Sequence, residues 1–158
     1  MAEPLAADSH TQAATDQIRD EHGHIRSTLI ATGQALRRLT AAQTTLDAAA
    51  AQLALELAHL AEQSRLHFRA EELLTLFPLL EQRLPSSGEE VELLRVEHGD
   101  LEEILARARR FVEIMRVPEL GELMTLLDSF TEVLARHEAK EESLLRRLRD
   151  ALAESSGA

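Results

Sequence analysis

Apolar residues recur in this chain at alternating intervals of three and four through four long segments, a periodicity that calls for helices carrying one apolar stripe each. The first stripe runs Ile18, Ile25, Leu29, Leu36 and Leu39, and the second Leu46, Leu53, Leu57, Leu60 and Leu74. The third carries Val91, Leu94, Leu101, Leu105, Val112 and Met115; the fourth carries Leu123, Leu127, Phe130, Leu134, Leu144 and Leu148. Breakers separate them: polar TAAQTTLD at 40–47, LPSSG at 84–88, and Val117 with Pro118. Ser87 and Glu90 have the spacing of a capping box opening the third segment. Pro78, in LFPLL, predicts an end or kink in the second helix about a turn after Glu71. Short connections make successive helices antiparallel neighbours, so the expected fold is all-α, an up-down-up-down antiparallel four-helix bundle over residues 15–152. Residues 1–14 are expected to form a disordered N-terminal tail, and residues 153–158 a frayed C-terminus.

The 158 residues suffice for one domain with a sizeable core, and the 44% hydrophobic content rests on Leu and Ala, as suits helices. There is no Cys, which excludes disulfides, thiolate ligands and a cysteine nucleophile. Any metal must be held by His and carboxylate. Seventeen Lys and Arg against 28 Asp and Glu give a net charge of -11, with the basic residues scattered among Glu, so nucleic acid is not an expected partner. The N-terminal MAEPLAADSHTQAA lacks the positive start and apolar run of a signal peptide, and no long uncharged apolar stretch follows. A soluble, cytoplasmic protein without a membrane partner is expected.

Certain stripe positions are not apolar. His22 stands in the first, His67 and Glu71 in the second, His98 in the third, and His137 and Glu141 in the fourth. Residues at equal height on antiparallel neighbours lie symmetrically about the connecting loop. The midpoint between His22 and the His67/Glu71 pair falls in the first breaker. Those linking that pair to His98, and His98 to the His137/Glu141 pair, fall at the edge of the second and on the third. The six side chains are therefore expected in one layer. EHGHI at 21–25 is echoed by EHGDL at 97–101, and HFRAEELL at 67–74 by HEAKEESL at 137–144, which predicts a pseudo-twofold site. Each His-x-x-x-Glu pair puts imidazole and carboxylate on one helical face. Two such half-sites form a dinuclear centre, each metal taking two imidazoles and the two glutamates bridging.

A single His-x-x-x-Glu pair could equally be a surface ion pair, contributing about 0.3–0.5 kcal/mol. Placement argues otherwise, because burying two carboxylates together without partners costs several kcal/mol on the scale of buried charges. His24 and His59 sit one residue off their stripes and read as solvated flank residues, and His10 lies in the expected tail. Glu21 and Glu97 suit rim groups that orient an imidazole N–H. Ser64 and Thr32 are polar stripe positions that fit either small gap-fillers or hydrogen-bond partners near the core.

Ferritin-like centres use Glu on two helices and Glu-x-x-His on two others. Here the Glu56 to His59 pair has that spacing but lies off the stripe. By contrast, the order His, His-x-x-x-Glu, His, His-x-x-x-Glu, with HFRAEE leading into LFP, resembles the hemerythrin-like HHE cation-binding family over roughly residues 15–150. The resemblance implies an antiparallel bundle holding two iron ions in an oxo- or hydroxo-bridged centre, with His22, His67, Glu71, His98, His137 and Glu141 as metal ligands. It implies a non-haem di-iron protein that binds, senses or reacts with oxygen, nitric oxide or peroxide. Ligand type suits zinc as well as iron. Oxygen-carrying hemerythrins have a further histidine one turn beyond the third-helix ligand, where this chain has Glu102. Unless Glu102 or a water completes the set, both metals have open positions, and simple oxygen carriage does not follow. A di-iron enzyme consuming peroxide, or one protecting or repairing iron-sulfur centres, is the first alternative. A metal-free helical interaction module is the second. The sequence names no protein partner.

Overall fold

Long helices form where the four apolar stripes run. The computed structural model describes residues 4–40, 46–114 and 120–156. In it α1 spans Pro4–Thr40, α2 Leu46–Leu73, α3 Leu76–Arg83, α4 Gly88–Ile114 and α5 Leu120–Ser156, with one 3-10 turn at Pro85–Ser87. Among the described residues there is no strand. Helix α1 packs against α2 and α5, and α4 packs against the same two, so the four long helices close a ring with their stripes inward. No helix among the described residues is long and apolar enough to cross a membrane.

The core lies in three apolar groups along the bundle. At one end Leu36, Leu39, Leu53, Leu57, Leu123 and Leu127 meet. Next come Ile25, Leu60, Phe68, Leu101, Phe130 and Leu134. At the far end Ile18, Val91, Leu94, Leu144 and Leu148 are closed over by Leu76, Phe77 and Leu80 of α3. Between the second and third groups the stripes carry the His and Glu residues, so apolar layers seal the polar one on both sides.

At the N-terminus, where a tail is expected from sequence, residues 4–14 are part of helix α1. The stripe continues upstream of Ile18 through buried Thr15 and Thr11. Thr15 Oγ1 donates to the Thr11 carbonyl, which satisfies its hydroxyl inside the helix. This extension runs beside Leu152 and Ala153, and α5 itself stays helical to Ser156 where fraying is expected from 153. Residues 41–45 of the first breaker, Met115, Val117 with Pro118, and the terminal residues 1–3 and 157–158 lie outside the described residues.

Pro78 interrupts the second segment as expected. Helix α2 stops at Leu73, the N–H groups of Leu74 and Thr75 both donate to the Ala70 carbonyl, and α3 restarts behind Thr75. Pro78 then sits in the first turn of α3, where its missing N–H costs nothing. Leu74 falls in the break and is 78% exposed, so it leaves the stripe to which its spacing assigned it. The capping box at Ser87 is also absent. Ser87 Oγ donates to the Leu84 carbonyl, closing the 3-10 turn, and the Glu90 carboxylate is taken by Arg147 on α5.

Candidate metal centre

All six stripe residues singled out by sequence come together in one layer. His22 projects from α1, His67 and Glu71 from α2, His98 from α4, and His137 and Glu141 from α5; all are buried, and both carboxylates are 0% exposed. Glu141 lies 3.0 Å from His22 Nε2 and 2.8 Å from His137 Nε2. Glu71 lies 3.3 Å from both His67 Nε2 and His98 Nε2. The donor atoms form two groups, His22, His67, Glu71 and Glu141, and Glu71, His98, His137 and Glu141, each within 4.8 Å. Each carboxylate thus belongs to both groups.

The donor set fits a cation better than it fits itself. His22 Nε2, His67 Nε2 and all four carboxylate oxygens of Glu71 and Glu141 are buried without a hydrogen-bond partner, although they crowd together. His98 Nε2 and His137 Nε2 stand 3.1 Å apart. Such convergence of lone pairs in a dry interior is costly unless a positive charge sits among them. The proton affinities carry the same conflict. Burial, reinforced by the Glu141 charge, pushes Glu71 well above the usual carboxylate range. Burial pushes Glu141 upward too, but the imidazoles of His137 and His22 beside it hold it far below that range. Burial, with His137 nearby, drops His98 to about 3. Burial also disfavours charge on His137, but Glu141 and Glu97 outweigh it and raise its pKa. A bound divalent cation would replace this uneven proton sharing with ionised carboxylates and neutral imidazoles.

An outer ring of carboxylates sets the imidazoles. His67 Nδ1 pairs with Glu21 at 2.7 Å, His98 Nδ1 with Glu72 at 2.7 Å, and His137 Nδ1 with Glu97 at 3.2 Å. His22 Nδ1 has Glu138 more loosely, at 4.0 Å. With the proton on Nδ1, each of the first three rings turns its Nε2 lone pair inward. The hydrogen bond from His67 lowers the pKa of Glu21, as an acceptor role requires. Glu97 is held by Lys140 as well. Glu21 and Glu97 therefore take the rim role expected of them, whereas Glu72 and Glu138 were missed. Their signal was adjacency: each follows an inward residue, Glu71 or His137, and so turns toward the neighbouring helix. Phe68 and Phe77 were also missed; they stack on His98, with ring centroids 4.2 and 5.5 Å away. Replacing Glu72→Gln should lower metal affinity about 10- to 100-fold with the bundle intact, measured by chelator competition.

The flank residues behave as their spacing predicts, since His24 and His59 are exposed; His10 is exposed too, but on α1 rather than in a tail. Glu102 is exposed and lines a surface hollow with Arg65 and Arg109, so it is not among the residues facing the centre. Thr32 Oγ1 donates to the Thr28 carbonyl, while Ser64 Oγ is buried without a partner.

The buried His and Glu cluster indicates a metal-binding site. Neither a curated protein nor a solved structure matches the chain. A family model does, the hemerythrin HHE cation binding domain, and it covers residues 8–152. With a match along nearly its whole length and a buried His and Glu layer at its centre, the chain belongs to the hemerythrin HHE cation-binding family.

Proposed function

We propose that this is a non-haem di-iron protein that binds, senses or reacts with a small ligand such as oxygen, nitric oxide or peroxide. Its metal ligands are His22, His67, Glu71, His98, His137 and Glu141. The observation that carries this reading is the sharing of Glu71 and Glu141 between two four-residue donor groups, the arrangement of two bridged metals. A redox-active pair bound there would supply electrons and open coordination positions for the small ligand. The chain's part is to fix the orientation of three imidazoles through Nδ1, offer two carboxylates shared between the donor groups, and keep water out with Phe68, Phe77 and the flanking leucines. A metal-free interaction module would leave two fully buried glutamates with no reason to stand where leucine would serve. The net charge of -11 supports a ligand other than nucleic acid.

The same proposal takes the bundle as one domain with up-down-up-down topology. Arg147 pairs with Glu90 and Lys140 with Glu97, stepping one way along α5 and the opposite way along α4. Arg19 with Glu142 and Arg26 with Glu138 do likewise for α1 and α5. Glu21 with His67 and Thr28 with Gln63 do so for α1 and α2.

Anaerobic loading followed by elemental analysis and an absorption spectrum tests the metal assignment. Two irons per chain are expected. A reproducible count of one or fewer would exclude the dinuclear reading, and a preference for zinc would exclude redox chemistry. Turnover of hydrogen peroxide by the loaded protein separates an enzyme from a binding or sensing protein.

A further inference from the structure

Among the described residues, buried hydroxyls are satisfied by their own surroundings, with one exception beside the His and Glu layer. Thr15 and Thr32 donate to the carbonyl four residues back, Thr28 to the Gln63 side chain, and Ser87 to the Leu84 carbonyl. Ser64 is 0% exposed, and its Oγ makes no hydrogen bond. The ordinary remedy for a helical hydroxyl is a bond back to the preceding turn, and Ser64 does not take it.

Its location gives the exception meaning. Ser64 stands three residues before His67 on the inward face of α2, so their side chains are neighbours one turn apart. Near its height Ile25, Leu101 and Leu134 are buried and apolar, and the hydroxyl of buried Thr28 is already committed to Gln63. The repeat that matches His67 with His137 matches Ser64 with Leu134, so the pseudo-twofold is broken here and nowhere among the six ligands. One half of the centre is floored by an isobutyl group. The other has a shorter side chain and an uncommitted O–H.

We propose that Ser64 is a positioning residue whose hydroxyl donates a hydrogen bond to the small ligand held at the metal pair. It would favour an anion or diatomic with a second acceptor atom beyond the coordinating one, and fix its orientation. The inference rests on the metal-centre reading above. An unsatisfied hydroxyl in an apolar layer opposes folding, so its retention fits a group that acquires its partner only when ligand arrives.

Azide is the probe, added to the iron-loaded full chain as wild type, Ser64→Ala and Ser64→Thr. Elemental analysis comes first: a wild type without iron would refute the metal-centre reading itself, independently of Ser64. All three proteins are expected to hold the same iron. Azide affinity, followed by its visible band, should fall about tenfold in Ser64→Ala. The bound-azide infrared stretch should shift on transfer to D2O in wild type and Ser64→Thr but not in Ser64→Ala. Without metal or azide, Ser64→Ala should melt higher, by about 2–4 °C, because the orphaned hydroxyl is gone. Equal azide affinity with an unchanged D2O shift in Ser64→Ala would overturn the proposal. So would an iron-loaded wild type that takes up no azide, or a lower Tm for metal-free Ser64→Ala, which would make the hydroxyl structural.

Discussion

Glu141→Ala is expected to strip bound metal from the protein and lower the Tm of the metal-loaded form by roughly ten degrees. The carboxylate is fully buried and lies within 3.0 Å of imidazoles from two different helices, so its loss breaks both donor groups at once. Metal present at about a thousand times its dissociation constant adds about 4 kcal/mol to the folded state, on the order of 8–16 °C for a chain of this size. His67→Ala should act in the same direction, because it removes an imidazole and leaves Glu21 and Glu71 without their shared partner. In metal-free protein the Tm difference between wild type and Glu141→Ala should be much smaller, which separates metal linkage from packing. His24→Ala and His59→Ala are the matched controls, each an exposed histidine close in sequence to a ligand. They should keep full iron content and Tm. Iron loss from either control as complete as that from Glu141→Ala would show that inward position does not decide ligation.

That contrast between His22 and His24, two residues apart, shows how far helical periodicity alone carries. Position on a stripe of three-and-four spacing separates the buried histidine from the exposed one, because only one face of each helix meets the bundle interior. The same logic failed where the stripe was disguised or interrupted. Thr11 and Thr15 hold inward positions, but a hydroxyl reads as polar until its bond to the preceding turn is seen. Leu74 has the right spacing and the wrong surroundings, since Pro78 moves the helix break onto it. Ser87 and Glu90 have the local spacing of a cap, and a long-range partner, Arg147, outcompetes it. Glu72, Phe68 and Phe77 act on His98 across a helix interface, and no pattern within one segment reveals a contact made between two. What sequence renders legible is therefore the face; what it conceals is the neighbour.

The second large effect concerns oxygen. Reduced, iron-loaded protein exposed to air is expected to oxidise in a way that argon does not reverse. A reversible carrier is helped by a site with a single open coordination position, held so that oxygen leaves unreduced. Here the inward-facing set is four imidazoles and two shared carboxylates, distributed evenly between the two donor groups. The position that would add a fifth imidazole is Glu102, which is exposed and faces the surface near Arg65 and Arg109. On the proposed di-iron reading, two metals of equal ligation would favour electron transfer to the oxidant over storage. Reduction under nitrogen, admission of air, and purging with argon while the visible spectrum is recorded provide the test, with repeated cycles to expose slow loss. The absorption that grows with air should persist after the purge and disappear only on renewed reduction. Glu102→His should leave both this behaviour and the iron content unchanged, because the new imidazole would stand outside the bundle. A band that rises with air and falls with argon over several cycles would establish reversible carriage and sink the prediction; a changed spectrum in Glu102→His would show that position 102 reaches the centre after all.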